Sequence, residues 1–395
     1  MYSAVVVGAG VGGLAIAGSL ARAGWRVTLL ERSDRLRAGR AGLFLWPNAV
    51  AALRSLGLGA GLDAIGTEVP SGGIRRPDGQ YVAQPSPGVR PVVAHAEDLH
   101  DTLIAGLGER IDIRTGITVR TVHMRQGEKP EVGDGKNTWD AELIVAADGA
   151  ESFVRSRLAP NSQAISSGFA AWRAVIPWYR APRLPDDAML AGETIGGGYR
   201  FQAASLGHRG SAGGSTRGGI YWTATVAGAA RPEPPATQLT FLRRWFAGWH
   251  APISDLLAAT EPDDLSQQDG RQLRPIPNDL AFTCGVGGFV LLGDAAHAMP
   301  HHLNQGAGLA LEDAATLRAL VGSGGATLES AMREYSAQRK RRAAVVAAQT
   351  RKVGATLFAP RGAFFTRTRE RAFRSLTPRV LEKAVAAAAD WAPPA

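Results

Sequence analysis

The chain predicts an α/β protein: a nucleotide-binding domain interrupted by a β-rich domain and followed by a helical tail. Three observations predict it. An apolar run, Val5-Val6-Val7, leads into a glycine turn and a helical stretch. After Pro160 the sequence turns to segments suited to an antiparallel sheet, and Phe289–Leu292 then returns to a buried strand. From Gly306 onward the pattern is mostly helical. With 395 residues, 45% hydrophobic and 20% charged, the chain can fill two or three domains with a sizeable core.

The elements follow in order. Tyr2–Glu31 reads as strand, glycine turn, helix, strand. Pro47–Leu58 has helical spacing, with Val50, Leu53 and Leu56 recurring on one side. Val69–Val93 is rich in Gly, Pro and short β-like runs. Ala96–Leu107 is helical, with Leu99, Leu103 and Leu107 on one face, and Ile111–Val122 and Glu142–Ala146 are strands. Phe169–Trp178, Tyr199–Ser205 and Ile220–Val226 read as strands of an antiparallel sheet. Pro232–Pro235 links into a helix over Gln238–Trp249, and Gly306–Val321 is a further helix. No internal repeat is found.

Charge and cysteine usage exclude some classes. The net charge of +9 sits late in the chain: Arg333–Lys383 holds 14 Lys and Arg against 3 Asp and Glu, so the rest is near −2. No nucleic-acid motif accompanies this basic stretch, which reads as a solvated helical face. No run of 18 apolar residues suggests a membrane span, and no leader segment is recognisable. A single cysteine, Cys284, cannot form an internal disulfide and reads as a small core residue; a cytoplasmic setting is expected.

The glycine turn carries the first chemistry. Gly8, Gly10 and Gly13 fill a G-x-G-x-x-G pattern around Val11 and Gly12, and Glu31 lies 18 residues past Gly13 at the end of the next strand. Gly8 permits a tight turn, Gly10 lets the backbone approach a pyrophosphate, and Gly13 lets helix and strand pack closely. The helix N-terminus favours negative charge, and Glu31 can accept from an adenosine ribose. This pattern alone does not separate FAD from NAD.

Three further segments do. Leu291-Leu292-Gly293-Asp294-Ala295-Ala296-His297-Ala298-Met299-Pro300 resembles the Gly-Asp motif of the aromatic-ring hydroxylases, the class A flavoprotein monooxygenases that include para-hydroxybenzoate and salicylate hydroxylases and zeaxanthin epoxidase. Asn304-Gln305-Gly306-Ala307-Gly308 with Glu312-Asp313-Ala314 is similar to a glycine-rich segment of that family, and Ala147-Asp148-Gly149-Ala150 to its Asp-Gly motif. On their own, Asp148-Gly149 reads equally as an ordinary turn, and a helix cap is the lesser reading of Asp294. Gly168–Arg173, Gly196–Phe201, Tyr221-Trp222 and Trp46–Ala49 extend the likeness over nearly the whole chain. Two departures stand out: Ala96 replaces an arginine that usually sits near the cofactor, with Arg40 a candidate substitute, and Asn304 replaces a glycine.

The resemblance implies a Rossmann-like FAD-binding domain interrupted by a β-sheet substrate domain, with C-terminal helices. The expected division is FAD-binding over 1–70, 95–164 and 276–345, substrate domain over 71–94 and 165–275, and a C-terminal helical segment over 346–395. It implies an FAD-dependent monooxygenase, reduced transiently by NADPH or NADH, that inserts one oxygen atom of O2 into an aromatic, polycyclic or alkene substrate. A non-oxygenating flavin enzyme and a flavin-binding protein without activity are the alternatives. Besides the glycine-turn residues and Glu31, the expected FAD contacts are Arg32, Arg40, Asp148, Gly149, Gly293, Asp294, Pro300, Asn304, Gln305, Gly306 and Ala307. Tyr199, Arg200, Trp222 and His301 are expected on the substrate side. His302 is the candidate base, with a purely structural role as its alternative. No metal, nucleic acid or membrane span is expected, and the chain is expected to act as a monomer or homodimer.

Overall fold

The computed structural model describes residues 2–70, 72–85, 89–184, 192–207, 218–322, 327–357 and 385–394. Much of the expected C-terminal helical segment, 358–384, lies outside them.

Six strands form one sheet, in the order Ala281–Thr283, Gly288–Leu291, Leu143–Ala146, Ser3–Val7, Arg26–Leu30 and Ile111–Arg114. Every pair is parallel except the first. Three of the four inner strands are buried along their whole length, because helices cover a parallel sheet on both faces and leave no polar side. Leu14, Ile16 and Leu20 of the Val11–Arg22 helix and Leu311 and Leu317 of the Gly306–Gly322 helix share the core with these strands.

Register then fixes the site. Val7 stands opposite Leu30 on one side and Ala146 on the other, and Ala146 stands opposite Leu291. Four strands therefore end level. The residues that follow them, Gly8, Glu31, Ala147 and Leu292, emerge together at the carboxyl edge, where open α/β sheets bind ligands. Cross-bonds confirm the alignment: Gly8 N donates to Leu30 O (2.8 Å), Ala147 N to Val7 O (2.8 Å) and Leu292 N to Ala146 O (2.9 Å).

A second sheet has seven strands, ordered Leu265–Arg274, Gln163–Pro177, Gly219–Ala227, Tyr199–Ser205, Glu193–Gly196, Ile74–Arg75 and Tyr81–Ala83. On one face Trp172, Phe201 and Trp222 pack against Leu242 and Phe246 of the Pro235–Trp245 helix and Leu256 of Ile253–Ala259. The opposite face meets the first sheet's loops: Asn304 Nδ2 donates to Gln202 Oε1 (3.1 Å), and Phe44 packs against Tyr221.

Two elements differ from expectation for identifiable reasons. Leu265–Arg274 is a ten-residue strand with the polar sequence LSQQDGRQLR. As an edge strand it needs no apolar alternation, so the pattern gave no signal. The helix expected at Gln238 begins at Pro235, because proline fits the first helical position, where no N–H is needed. Tyr199–Ser205 runs as expected. Residues 385–389 form a short helical stretch, and Ala388 packs on Leu303, Leu309 and Val346.

Candidate active site

The carboxyl edge of the first sheet opens into a groove whose other wall is the second sheet. Gly10 to Gly13, Gly149, Gly293, Asp294, Asn304, Gly306 and Ala307 line one side. Leu43, Phe44, Arg173, Tyr221, Met299, His301 and the Gln268–Arg271 stretch line the other.

The glycines divide by what a side chain would meet. Gly8 has φ +102°, and a Cβ there would lie 2.3 Å from Ala147 O; one on Gly13 would lie 1.9 Å from Gly8 O. Both permit close packing of the turn. A Cβ on Gly10 would meet nothing within 4 Å, because Gly10 faces the open groove. The Val11–Arg22 helix starts there without a side-chain cap, so the N–H groups of its first turn lack partners within the helix. Glu31 clamps the turn: it accepts from Ala9 N (2.8 Å) and Ser33 N (2.9 Å).

Facing this turn, Gly293 bends the chain with φ +64°, and the Asp294 side chain is exposed in the groove. An ideal Cβ on Gly306, the first residue of the next helix, would lie 4.0 Å from Asp294 Oδ1. Asn304 adopts a left-handed conformation, φ 51° and ψ 37°. That explains its departure from the family's glycine: asparagine tolerates this region, and its amide also ties the loop to Gln202. The FAD-shaped requirement of a side-chain-free turn between two helix N-termini is thus met by the residues present.

Behind the groove lies a buried ionic network. Asp313 accepts from Gly293 N (2.8 Å), His297 Nε2 (2.7 Å) and Arg339 Nε (2.5 Å). Burial pushes its pKa up, but the charges of His297 and Arg339 outweigh that and hold it at about 2. Arg155, also buried, donates to Ala150 O (2.7 Å) and Ala295 O (3.2 Å), tying the Asp-Gly turn to the Gly-Asp turn.

On the substrate-facing wall, Arg173 Nε and Arg200 Nε and Nη1 are buried with no hydrogen-bond partner among the described residues. Arg200 Nη2 pairs with Glu193. Arg200 is not on the groove lining itself but shares the groove-facing side of its strand with Gln202. His301 Nε2 lies 2.7 Å from Thr225 Oγ1. Burial first, then the Arg173 and Arg200 charges, keep His301 neutral far below its ordinary range.

Several expected contacts fall elsewhere. Tyr199 and Trp222 lie on the far face of the second sheet: Tyr199 packs against Trp245 and Phe246, and Trp222 Nε1 donates to Thr260 Oγ1 (2.9 Å). Strand alternation sends Tyr221, Thr223 and Thr225 toward the groove in their place. His302 points away from the groove. Its ring meets Phe169 edge-on at 4.8 Å, and a Cβ on Gly354 would come within 2.7 Å of it. Burial and the Arg200 charge lower its pKa to about 3, so it cannot hold a proton at neutral pH. Asp148 turns one carboxylate oxygen to Val154 N (3.3 Å) in the first turn of the Phe153–Leu158 helix, which Ser152 caps, leaving Gly149 at the groove. Arg32 and Arg40 are exposed on the loop beyond Leu30, and Arg40 donates to Asp263 O (3.4 Å). Pro300 and the Gln305 side chain are buried beneath the groove-lining loop. Ala96 is buried and donates its N–H to Ala41 O (2.8 Å). Sequence reasoning did not single out Phe44, Arg173 or Gln268–Arg271 for the groove. For Arg173 the signal was present: it alternates with Trp172 on one strand.

A family model described as an FAD binding domain matches residues 1–350. The chain is 30% identical over 361 residues to aurachin C monooxygenase/isomerase of Stigmatella aurantiaca, covering 89% of this chain and 88% of that protein. It is 32% identical over 330 residues to 2-heptyl-3-hydroxy-4(1H)-quinolone synthase of Pseudomonas aeruginosa, covering 80% of each. A crystal structure of Klebsiella pneumoniae HpxO complexed with FAD and uric acid superposes with a TM-score of 0.81 at 23% identity, over 98% of this chain and 96% of that one. Among the described residues, no helix is long and apolar enough to cross a membrane.

Proposed function

The chain belongs to the FAD-binding family of flavoprotein monooxygenases, and we propose that its substrate is a planar, bicyclic N-heteroaromatic ring of the quinolone kind. It is an FAD-dependent enzyme that uses NAD(P)H as reductant and places one oxygen atom in an aromatic substrate. The single observation that carries the cofactor reading is Gly10, a glycine with open groove in front of it and an uncapped helix start beside it.

Each wall has its task. The N–H groups of Val11, Gly12 and Gly13 receive the pyrophosphate, where a helix N-terminus offers partial positive charge. Glu31 takes ribose hydroxyls with the lone pairs that Ala9 and Ser33 leave, and Asp294 takes the ribityl chain. Asn304, Gly306 and Ala307 bring a second helix N-terminus to the pyrimidine edge of the ring, favouring the charge it gains on reduction. Bound FAD supplies the oxygen chemistry; the protein binds, orients and excludes water.

What supports an N-heteroaromatic is the weak basicity of both histidines beside the substrate wall. His301 and His302 are both held neutral far below physiological pH. A phenol would need a base to become a strong carbon nucleophile. A 4-quinolone does not, because its ring nitrogen feeds electrons to C3. Arg173 then holds its carbonyl oxygen, with the Arg200 charge deeper in the same wall, and Phe44, Tyr221 and Met299 flank its rings. One of the relatives reported above, 2-heptyl-3-hydroxy-4(1H)-quinolone synthase, is named for a quinolone. The test has two stages. Acid precipitation of the yellow protein should release FAD into the supernatant. A panel of 4-quinolones and simple phenols should then be assayed for NAD(P)H consumption and a product one oxygen atom heavier. Turnover of phenols but not quinolones overturns the substrate reading.

A further inference from the structure

Beneath the loop that faces the ring, one side chain is bound from both sides. Asn48, the second residue of the Pro47–Ser55 helix, is wholly buried. Its Nδ2 donates one hydrogen to Gln305 Oε1 (2.9 Å) and the other to Glu312 Oε1 (2.6 Å). Gly308 makes room: a Cβ there would lie 3.0 Å from Asn48 Nδ2 and 3.1 Å from Gln305 Oε1.

Glu312 is equally buried and cannot turn. Arg339 Nη1 (2.8 Å) holds one oxygen with Arg342 Nε (3.1 Å), and Arg342 Nη2 (2.9 Å) holds the other. Arg342 in turn donates to the carbonyls of Ala387 (3.1 Å) and Ala388. Ala388 packs on Leu303 and Leu309, either side of the loop. An unbroken line of polar contacts therefore runs from residues 387 and 388, through Arg342, Glu312 and Asn48, to Gln305.

We propose that Asn48 is a positioning residue for the flavin-facing loop 304–307, and that residues 387–388 act on the same loop through Arg342 and Glu312. The inference rests on FAD lying against that loop. The physical reason is the amide's two hydrogens. Glu312 fixes one, which aims the other at Gln305 and leaves the loop one position. Asn48 touches no groove atom, so its effect on the cofactor is indirect. Loss of Asn48 strands the buried Gln305 Oε1 and leaves Glu312 Oε1 with Arg342 alone, and the helix start at Gly306 moves to let water reach the loop. The positive end of that helix then sits farther from the ring.

The experiment compares Asn48→Ala, Arg342→Met and Gly10→Val with the parent. Apoprotein is titrated with FAD, and the midpoint potential of bound FAD is measured. Asn48→Ala should weaken FAD binding about tenfold and make the potential more negative, which a purely structural contact would not do. Arg342→Met should do the same to a smaller degree, about threefold. The double variant should be no worse than Asn48→Ala alone, because both act along one line. Parent-like affinity and potential in Asn48→Ala overturn the proposal if Gly10→Val has lost FAD. If Gly10→Val also binds as the parent does, the cofactor placement itself is wrong and the proposal falls with it. Should the Asn48→Ala apoprotein not fold, Gln305→Met decides on the same two readouts. It removes the loop's acceptor while Asn48 stays paired with Glu312, and parent-like values there overturn the proposal.

Discussion

The two walls of the groove are made of different things. The wall proposed to hold the cofactor is backbone: glycine turns, level strand ends and two helix starts, with Gly10 and Gly306 contributing no side chain at all. The substrate wall is side chains on alternating strand positions: Arg173, Tyr221, Thr225 and, deeper, Arg200. A wall of backbone is dictated by the path of the chain, so it tolerates change except where a Cβ appears or a buried partner is lost. A wall of side chains can be rewritten one residue at a time without moving the path. On the proposed placement, cofactor binding and substrate choice are therefore separable.

The sharpest way to break the cofactor wall is from behind. Asp313→Asn leaves Arg339 and His297 buried beside a neutral amide. Breaking such a group should lower the stability of the apoprotein by roughly 3–5 kcal/mol in urea denaturation. A loss under about 1 kcal/mol would show that the network does not hold the Gly-Asp turn. Gly10→Val comes next. Nothing within 4 Å obstructs the new side chain, so the fold should survive while FAD affinity drops about a hundredfold, or ~2.7 kcal/mol. A variant that retains FAD through gel filtration would contradict the assignment of that wall.

His302 tests the seam between the walls through pH. Its pKa is about 3 in the folded chain against an ordinary 6.5. Between those values the unfolded chain binds a proton that the folded chain refuses. The stability this residue contributes is complete above pH 6.5 and falls on acidification toward pH 3, by up to about 1.4 kcal/mol per pH unit. His302→Leu should flatten that slope between pH 7 and 5 without reducing substrate turnover. An unchanged slope means the ring is not the acid-sensitive group.

The substrate wall should respond differently. Arg200→Met removes two buried nitrogens that have no partner among the described residues. The Michaelis constant should rise about tenfold, ~1.4 kcal/mol, with FAD affinity unchanged. A fall in FAD affinity would merge the two walls. Tyr199→Phe, on the far face, should change neither constant by more than about twofold, the smallest effect expected. Any larger rise in the Michaelis constant would bring that face back into the site.

The same contrast explains what could be read from the residues alone. Gly8, Gly10, Gly13 and Gly293 were legible as turn positions because backbone constraints write themselves as glycines at fixed spacing. Tyr199 and Trp222 were misplaced because both faces of their strands are buried, one under helices and one under loops, so hydropathy does not tell which side a residue takes. Asp148 was ambiguous for a plainer reason: a carboxylate after a strand can serve a ligand or a helix start, and here it serves the helix. The polar strand Leu265–Arg274 left no pattern, although it forms the rim of the groove through Gln268 and Asp269.

The strand order of the first sheet bears on how the enzyme comes into being. Ser3–Val7 is made first, yet its neighbour on one side is Leu143–Ala146, and the strand beyond that is Gly288–Leu291. A chain emerging from the ribosome holds an unfinished parallel sheet, with an open edge, throughout synthesis of the whole second sheet. Gly10 waits for Asp294 and for the helix at Gly306. The glycine turn and Glu31 are made early, but the full set of groove-facing residues comes together only after the chain through Gly306 has been made.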